Sequence, residues 1–289
     1  MIVDAALQGG GYRGCFTIRV CKHLEAQGVE WGKLIGTSVG AIVAHALRSF
    51  PAAEAELHFA AFRERDVMKE QSKWWALVSA AITKDTGLQS WTPLYDTLRR
   101  LLKNGPLPET WVTYIDYQTR QLVVDLATHQ TTYWSALIPL VARYRRYADG
   151  GVREQLPLGK AIGLGFGQGR PIVVIMTSPL REMPMTDGEP HDLLSSIEAT
   201  LDVALREVAR GDIWPALLLN WLAEKSPDGR VPKPGGGWYY YTPIEIYAPR
   251  KRLPAGSLFG SKTARDEMFA EADAVFAAGP ITDVEELLT

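Results

Sequence analysis

Residues 2–15, IVDAALQGGGYRGC, and residues 34–41, LIGTSVGA, decide how this chain of 289 residues is read. In the first stretch, Ile2 to Leu7 are apolar enough for a buried strand and run directly into Gly9-Gly10-Gly11-Tyr12-Arg13-Gly14. A helix-like run from Cys15 to Gln27 follows, and Gly28 stops it. The second stretch repeats the pattern. A short apolar segment around Leu34-Ile35 enters Gly36-Thr37-Ser38-Val39-Gly40, and Ala41 to Phe50 reads as another helix. Together the two turns place a row of backbone N–H groups near a serine on a strand-to-helix bend. That combination suggests acyl-transfer chemistry.

The glycine turn alone admits three readings. Gly9, Gly11 and Gly14 satisfy G-x-G-x-x-G between a strand and a helix, the fingerprint of a dinucleotide-binding turn. That reading needs an acidic residue about 20 positions on, at the end of the next strand. Glu25 falls mid-helix and Glu30 precedes the strand, which ends instead in Gly36-Thr37-Ser38. The second reading is an oxyanion hole, in which consecutive glycine amides converge on one point and the helix dipole adds positive potential. The third is a plain tight turn. From this motif all three stand open.

Gly36-x-Ser38-x-Gly40 fits a nucleophile elbow, where flanking glycines relieve crowding at a sharp bend. The same five residues would also serve as a glycine-flanked helix cap. A serine nucleophile needs a base, commonly a histidine backed by an acid. His23, His45 and His58 fall within helical patterns. His129 and His191 fall in loops without a recognisable setting, so each histidine reads as structural. Asp149, in Ala148-Asp149-Gly150-Gly151-Val152, is the sharper candidate. Two following glycines permit an unusual backbone and leave the carboxylate uncovered, and desolvation would raise its pKa toward neutrality. An isolated Asp-Gly-Gly is otherwise a turn.

Composition narrows the class. Hydrophobic content of 46% and charge of 22% are globular values, and a net charge of -2 offers no basic field for nucleic acid. Met1 leads almost directly into the first strand, with no basic and apolar leader, and no run of 18 apolar residues occurs. The chain therefore reads as cytoplasmic, with peripheral membrane association or signal-independent export still compatible. Cys15 and Cys21 point in different directions from one helix, which excludes a disulfide between them and suggests no metal site.

Outward from the two turns, Ala52 to Met68 keeps helical spacing. Residues 70–91 are irregular and carry Trp74, Trp75 and Trp91. Thr92-Pro93 starts a helix with Leu94, Leu98, Leu101 and Leu102 on one face. Trp111 to Tyr117 and Gln121 to Ala127 form a hairpin around Gln118-Thr119-Arg120, despite a loop without glycine. Tyr133 to Val141 reads as a helix interrupted by Pro139, Leu156 to Leu164 as a helix, and Pro171 to Met176 as a buried strand. Asp192 to Arg210 and Ile213 to Glu224 read as two helices. Ser226 to Gly237 reads as a long surface loop, Trp238 to Tyr247 as a strand and Lys262 to Ala277 as a closing helix. Strands alternating with helices predict α/β architecture, a mostly parallel sheet covered on both faces.

Gly9 to Gly14, Gly36 to Ala41 and Asp149 to Gly151 occur in the order and spacing of the patatin-like phospholipases. The resemblance spans most of the chain and includes the hairpin, the segment from Asp149 to Ser178 and the closing strand, loop and helix. It implies a three-layer α/β/α fold and one catalytic domain over 1–280. Residues 62–92 would form a cap or lid, 226–237 a surface loop and 281–289 a tail. It implies Ser38 as nucleophile and Asp149 as its sole base. The backbone amides of Gly10 and Gly11, with Gly9 as a third candidate, would form the oxyanion hole. Tyr12, Arg13, Gly14, Gly36, Thr37, Val39, Gly40, Gly150 and Gly151 would be motif support, with Arg13 orienting the loop or meeting a phosphate.

The implied reaction is hydrolysis of a phospholipid or other acyl lipid through an acyl-serine, with no cofactor, metal or calcium and no nucleic-acid partner. An activating ligand or protein is compatible with it. Gln8 departs from the family, which commonly has Asp before the glycine run, and this puts the detailed support of the loop in question. Residues 62–91 match no part of the family pattern and are where selectivity would reside. Trp74-Trp75 would touch lipid. The rivals are an esterase or thioesterase on non-membrane substrates, and a non-catalytic dinucleotide-binding module in which Ser38 only caps a helix.

Overall fold

The first strand, β1 (Ile2–Leu7), sends alternate side chains into two separate cores. Val3, Ala5 and Leu7 join one, and Ala6 joins the other. Such alternation across a strand buried on both faces is what a sheet enclosed between helical layers requires. The computed structural model describes residues 1–62, 66, 87–89, 92–138, 140–142, 146–180, 193–232, 236–254 and 261–282.

After β1 come a 3-10 turn (Gly11–Arg13), α1 (Gly14–Ala26), β2 (Glu30–Thr37), α2 (Val39–Ser49) and α3 (Ala52–Ala61). The next elements are β3 (Gly87–Gln89), α4 (Thr92–Leu101), β4 (Thr110–Asp116), β5 (Gln121–Leu126), α5 (His129–Ser135), β6 (Leu140–Ala142) and β7 (Tyr147–Asp149). A second 3-10 turn (Gly150–Val152) leads to α6 (Leu158–Gly163), β8 (Ile172–Ile175) and the long α7 (Leu193–Lys225). The chain closes with β9 (Arg230–Pro232), β10 (Trp238–Tyr240), β11 (Ile244–Tyr247) and α8 (Lys262–Ala278).

The main sheet has seven strands in the order β11-β8-β1-β2-β4-β5, with β7 also paired to β4. β11, β8, β1, β2 and β4 are mutually parallel, and β5 and β7 run antiparallel to β4. One face packs Leu34, Val173 and Ile175 against Phe16, Val20, Val43 and Met268 of the helices. The other packs Ile35, Val174 and Ile246 against Leu158, Ile213 and Leu217. Fully buried side chains such as Phe16 and Leu34 contribute roughly 1.5–3 kcal/mol each. This is the expected mostly parallel α/β sheet with helices on both faces.

The hairpin predicted over 111–127 is present, with Asp116 paired to Gln121 and Trp111 to Leu126. Its four-residue turn needs no glycine because Arg120 takes the left-handed conformation at φ 56°. Asp116 Oδ1 also accepts from the Gln118 amide at 2.8 Å. Cys15 and Cys21 are both free and buried on α1, as their spacing predicts.

Several local expectations need correction. The helix read across 133–141 ends at Ser135, and Leu140–Ala142 instead pairs in parallel with β3. The two helices expected over 192–224 are one, with Pro215 inside it and both Gly211 and Pro215 exposed. Tertiary packing of Ile213 and Leu217 outweighs their breaking tendency and carries the helix through. The loop read over 226–237 contains β9, which pairs antiparallel with β10. The strand read over 238–247 is two strands in different sheets, broken at Tyr241-Thr242-Pro243. Ile281, placed in the tail, is bonded to the sheet edge: its N–H donates to Ile246 O at 2.9 Å and its carbonyl accepts from Ile246 N at 3.0 Å. Trp74, Trp75, Trp91, His191 and most of the 62–92 cap lie outside the described residues, as do 283–289. No helix among the described residues is long and apolar enough to cross a membrane.

Candidate active site

Both polar groups of the site end strands that share one edge of β4. β2 pairs along it in parallel until Thr37 meets Thr113. One residue further along β4, Tyr114 pairs with Asp149 of β7, which runs the opposite way. The two strands thus meet C-terminus to C-terminus, with Ser38 leaving one and Asp149 ending the other. Thr113 lies at the junction, its hydroxyl 2.6 Å from that of Thr37.

Ser38 sits at φ 56° and ψ −127°, a strained backbone for a residue with a side chain. The elbow needs its glycines for space. A methyl on Gly36 would fall on the Gly40 carbonyl and lie 2.6 Å from Ala41 N, and one on Gly40 would fall on Leu7 O. Ser135 Oγ accepts from the Ser38 amide at 2.9 Å, an anchor invisible in the sequence because α5 lies 97 residues away. Ser38 is followed by the first residue of α2, Val39, so its hydroxyl stands at a helix N-terminus.

Asp149 is 5% exposed, and its carboxylate accepts from the Gly151 amide at 2.7 Å. Burial pushes its pKa up to about 7, against the opposing pull of the neighbouring Ser38 side chain and the Gly151 amide. Gly150 and Gly151 serve close approach here. Neither has a positive φ, which corrects the expectation of an unusual backbone. A methyl on Gly150 would lie 2.5 Å from Thr113 O, and one on Gly151 would fall on Gln155 Oε1.

The glycine loop lies against the elbow, and a methyl on Gly9 would be 3.0 Å from Ser38 Cβ. Gly10 and Gly11 adopt φ 151° and 59°, open to glycine and strained for other residues. The Gly9 amide donates to Gln155 O at 3.1 Å, which occupies it. Among the described residues the amides of Gly10 and Gly11 have no acceptor. Gln8 supplies the loop's support. Its Oε1 accepts from Thr177 N at 2.8 Å and its Nε2 donates to Ser178 Oγ at 2.9 Å, while Thr177 Oγ1 donates to Gly9 O. An amide donates and accepts at once, so glutamine can bridge both groups. Arg13 is buried beneath the loop, its amide donating to Gly10 O at 3.2 Å. Gly14 begins α1, where a methyl would fall on Val39 Cγ2.

Ser38 opens into a cleft of about 620 Å³ whose walls include Gly11, Tyr12, Val39, Ile42, Phe59 and Phe62. The remaining walls, Leu94, Ala136 and Ile138, are also apolar. The lining suits an apolar ligand held beside a few polar groups.

The described histidines have structural partners. His23 Nε2 is 2.6 Å from Asp273, His45 Nδ1 is 3.0 Å from Thr132 Oγ1, and His129 Nε2 is 3.0 Å from Leu102 O. His58 lies 3.9 Å from Glu54. Burial lowers His45 to about 4. Glu25, the mid-helix acid of the dinucleotide reading, accepts from Trp31 Nε1 at 2.7 Å and from Ala52 N at 2.6 Å. Glu30 begins β2, at the end of the strand away from the glycine loop. Among the described residues no three His, Cys, Asp or Glu side chains gather as a metal site.

The family model of the patatin-like phospholipases matches residues 5–162, more than half of the chain. That span contains the glycine loop, the elbow and Asp149. A comparison with curated proteins returned no match. Among solved structures, VipD from Legionella pneumophila is similar at 11% identity and a TM-score of 0.40, over 94% of this chain and 67% of that one.

Proposed function

The chain belongs to the patatin-like phospholipase family, whose members are lipid acyl hydrolases, and from that membership we propose that it cleaves fatty acyl esters of phospholipids with Ser38 as nucleophile and Asp149 as base. One observation carries the proposal: Ser38, at the wall of an apolar cleft, neighbours the buried carboxylate of Asp149 and acts on its pKa. In this reading Asp149 takes the hydroxyl proton as Ser38 Oγ attacks the ester carbonyl. The amides of Gly10 and Gly11 stabilise the oxyanion, and the leaving alcohol departs with the proton from Asp149. Water, deprotonated by the same carboxylate, then attacks the acyl-serine, and Ser38 Oγ regains a proton as the fatty acid leaves. Gly9 stands outside this hole because its amide already serves Gln155 O.

The apolar walls favour an acyl chain lying along α2. No step in the reading calls on calcium. The test is fatty-acid release from mixed phospholipid vesicles in excess EDTA, comparing wild type with Ser38→Ala and Asp149→Asn. Release by wild type that vanishes in both variants supports the dyad. Equal release in all three rejects the site.

A further inference from the structure

Gln155 is a buried amide that neither the elbow nor the glycine loop consumes. It is 3% exposed, and among the described residues its Oε1 accepts from no donor. An orphan buried acceptor loses a hydrogen bond that water would otherwise supply, so its retention calls for an explanation. Its backbone is pinned from two sides. Gly9 N donates to Gln155 O at 3.1 Å, and the amide of the next residue, Leu156, donates to the Asp212 carboxylate of α7 at 3.0 Å.

Two points locate it. A methyl on Gly151 would fall on Gln155 Oε1 while lying 3.0 Å from Asp149 Oδ1. A methyl on Gly9 would lie 2.9 Å from Gln155 Oε1 and 3.0 Å from Ser38 Cβ. The orphan oxygen thus borders both members of the dyad, and only glycines stand between.

We propose that Gln155 is a positioning residue for the second half of the reaction, its Oε1 accepting one O–H of the water whose other O–H donates to Asp149. This rests on the Ser38–Asp149 reading above. The two bonds fix both hydrogens and leave an oxygen lone pair facing the acyl carbonyl. The water oxygen then bonds to that carbon as Asp149 takes the proton. The carbon–Oγ bond breaks, Oγ receives the proton, and the carboxylic acid departs. In the first half the nucleophile is covalently held by the protein, and Gln155 has nothing to orient. The residue therefore separates deacylation from acylation.

The experiment uses p-nitrophenyl butyrate with wild type, Gln155→Met, which keeps length and loses the acceptor, and Gln155→Asn, which draws the acceptor back by one methylene. Nitrophenolate burst, steady-state rate and the ratio of butyrate to methyl butyrate formed in aqueous methanol are measured. Methanol has a single O–H, which Asp149 takes, so methanolysis has no use for Gln155.

The expected result for Gln155→Met is a burst rate within about threefold of wild type and a steady-state rate lower by about tenfold. Acyl-Ser38 should accumulate in the intact-mass spectrum and the product ratio should shift toward the methyl ester. Gln155→Asn should fall between, and it decides alone if the Met variant does not fold. A product ratio equal to wild type, or burst and steady state falling together, overturns the role. Absence of any acylation of Ser38 in wild type overturns the dyad itself, so the two failures are told apart.

Discussion

As the proposed base, Asp149 couples two pH-dependent quantities, activity and stability. Its pKa stands near 7 because burial penalises its charge. The base form is the carboxylate, so acylation should rise with pH through about 7 and level off above it. The pH profile of the nitrophenolate burst measures this, and a flat profile between pH 5 and 9 would remove Asp149 as the titrating base. The stability effect has the opposite sense. The folded pKa lies above the unfolded value of about 3.8, so the native state holds this proton more tightly between pH 4 and 7. Stability is therefore lost as pH rises across that window, by up to about 4 kcal/mol for the full shift. Asp149→Asn keeps an acceptor beside Ser38 and Gly151 without the charge. It should melt at a higher temperature than wild type at pH 8, with a smaller margin at pH 5, while losing activity. Equal melting temperatures at pH 8 would mean that the buried charge is compensated.

Elements meet at this site through side chains far apart in sequence. Gln8 at the end of β1 ties the glycine loop to Thr177 and Ser178, which follow β8. Gln8→Leu would strip two buried groups of their partner, which costs roughly 1–3 kcal/mol per group. We expect a loss of about 2–4 kcal/mol in chemical denaturation and a drop in acylation beyond what the remaining folded fraction explains. Unchanged acylation in the folded variant would show the loop to be rigid without this bridge. The glycine loop, elbow and Asp149 were legible in the sequence because glycines mark sharp bends and close approaches, and the strand and helix periods around them are strong. The supports were not. Ser135, Gln155 and Thr177 have ordinary local surroundings, and their contacts with the elbow and the glycine loop come from elements distant in sequence. The same limit explains β6 and β9, short runs whose strand state depends on a partner elsewhere, and α7, where packing outweighs the breaking tendency of Gly211 and Pro215.

At the scale of the whole molecule, the parallel strands β1 and β2 end at the glycine loop and the elbow, where α/β sheets commonly bind ligands. The apolar cleft lies on the helical side of the sheet that holds α1, α2 and α3, with Ile42 of α2 in its wall. A second, small hollow adjoins it, sharing Ile42, Phe59 and Phe62 and lined further by Phe50 and Leu101. An acyl chain leaving Ser38 along this wall would pass Ile42. Ile42→Trp adds bulk at that passage, at an overpacking cost of about 1–3 kcal/mol. It should leave hydrolysis of p-nitrophenyl butyrate within about threefold of wild type and lower that of the palmitate ester by about tenfold or more, since the chain can no longer bury its far methylenes. Phe59→Ala widens the shared wall and should shift the preference the other way. If both variants keep the wild-type ratio of butyrate to palmitate rates, the chain takes another path, and length selection lies outside the helical layer formed by α2 and α3.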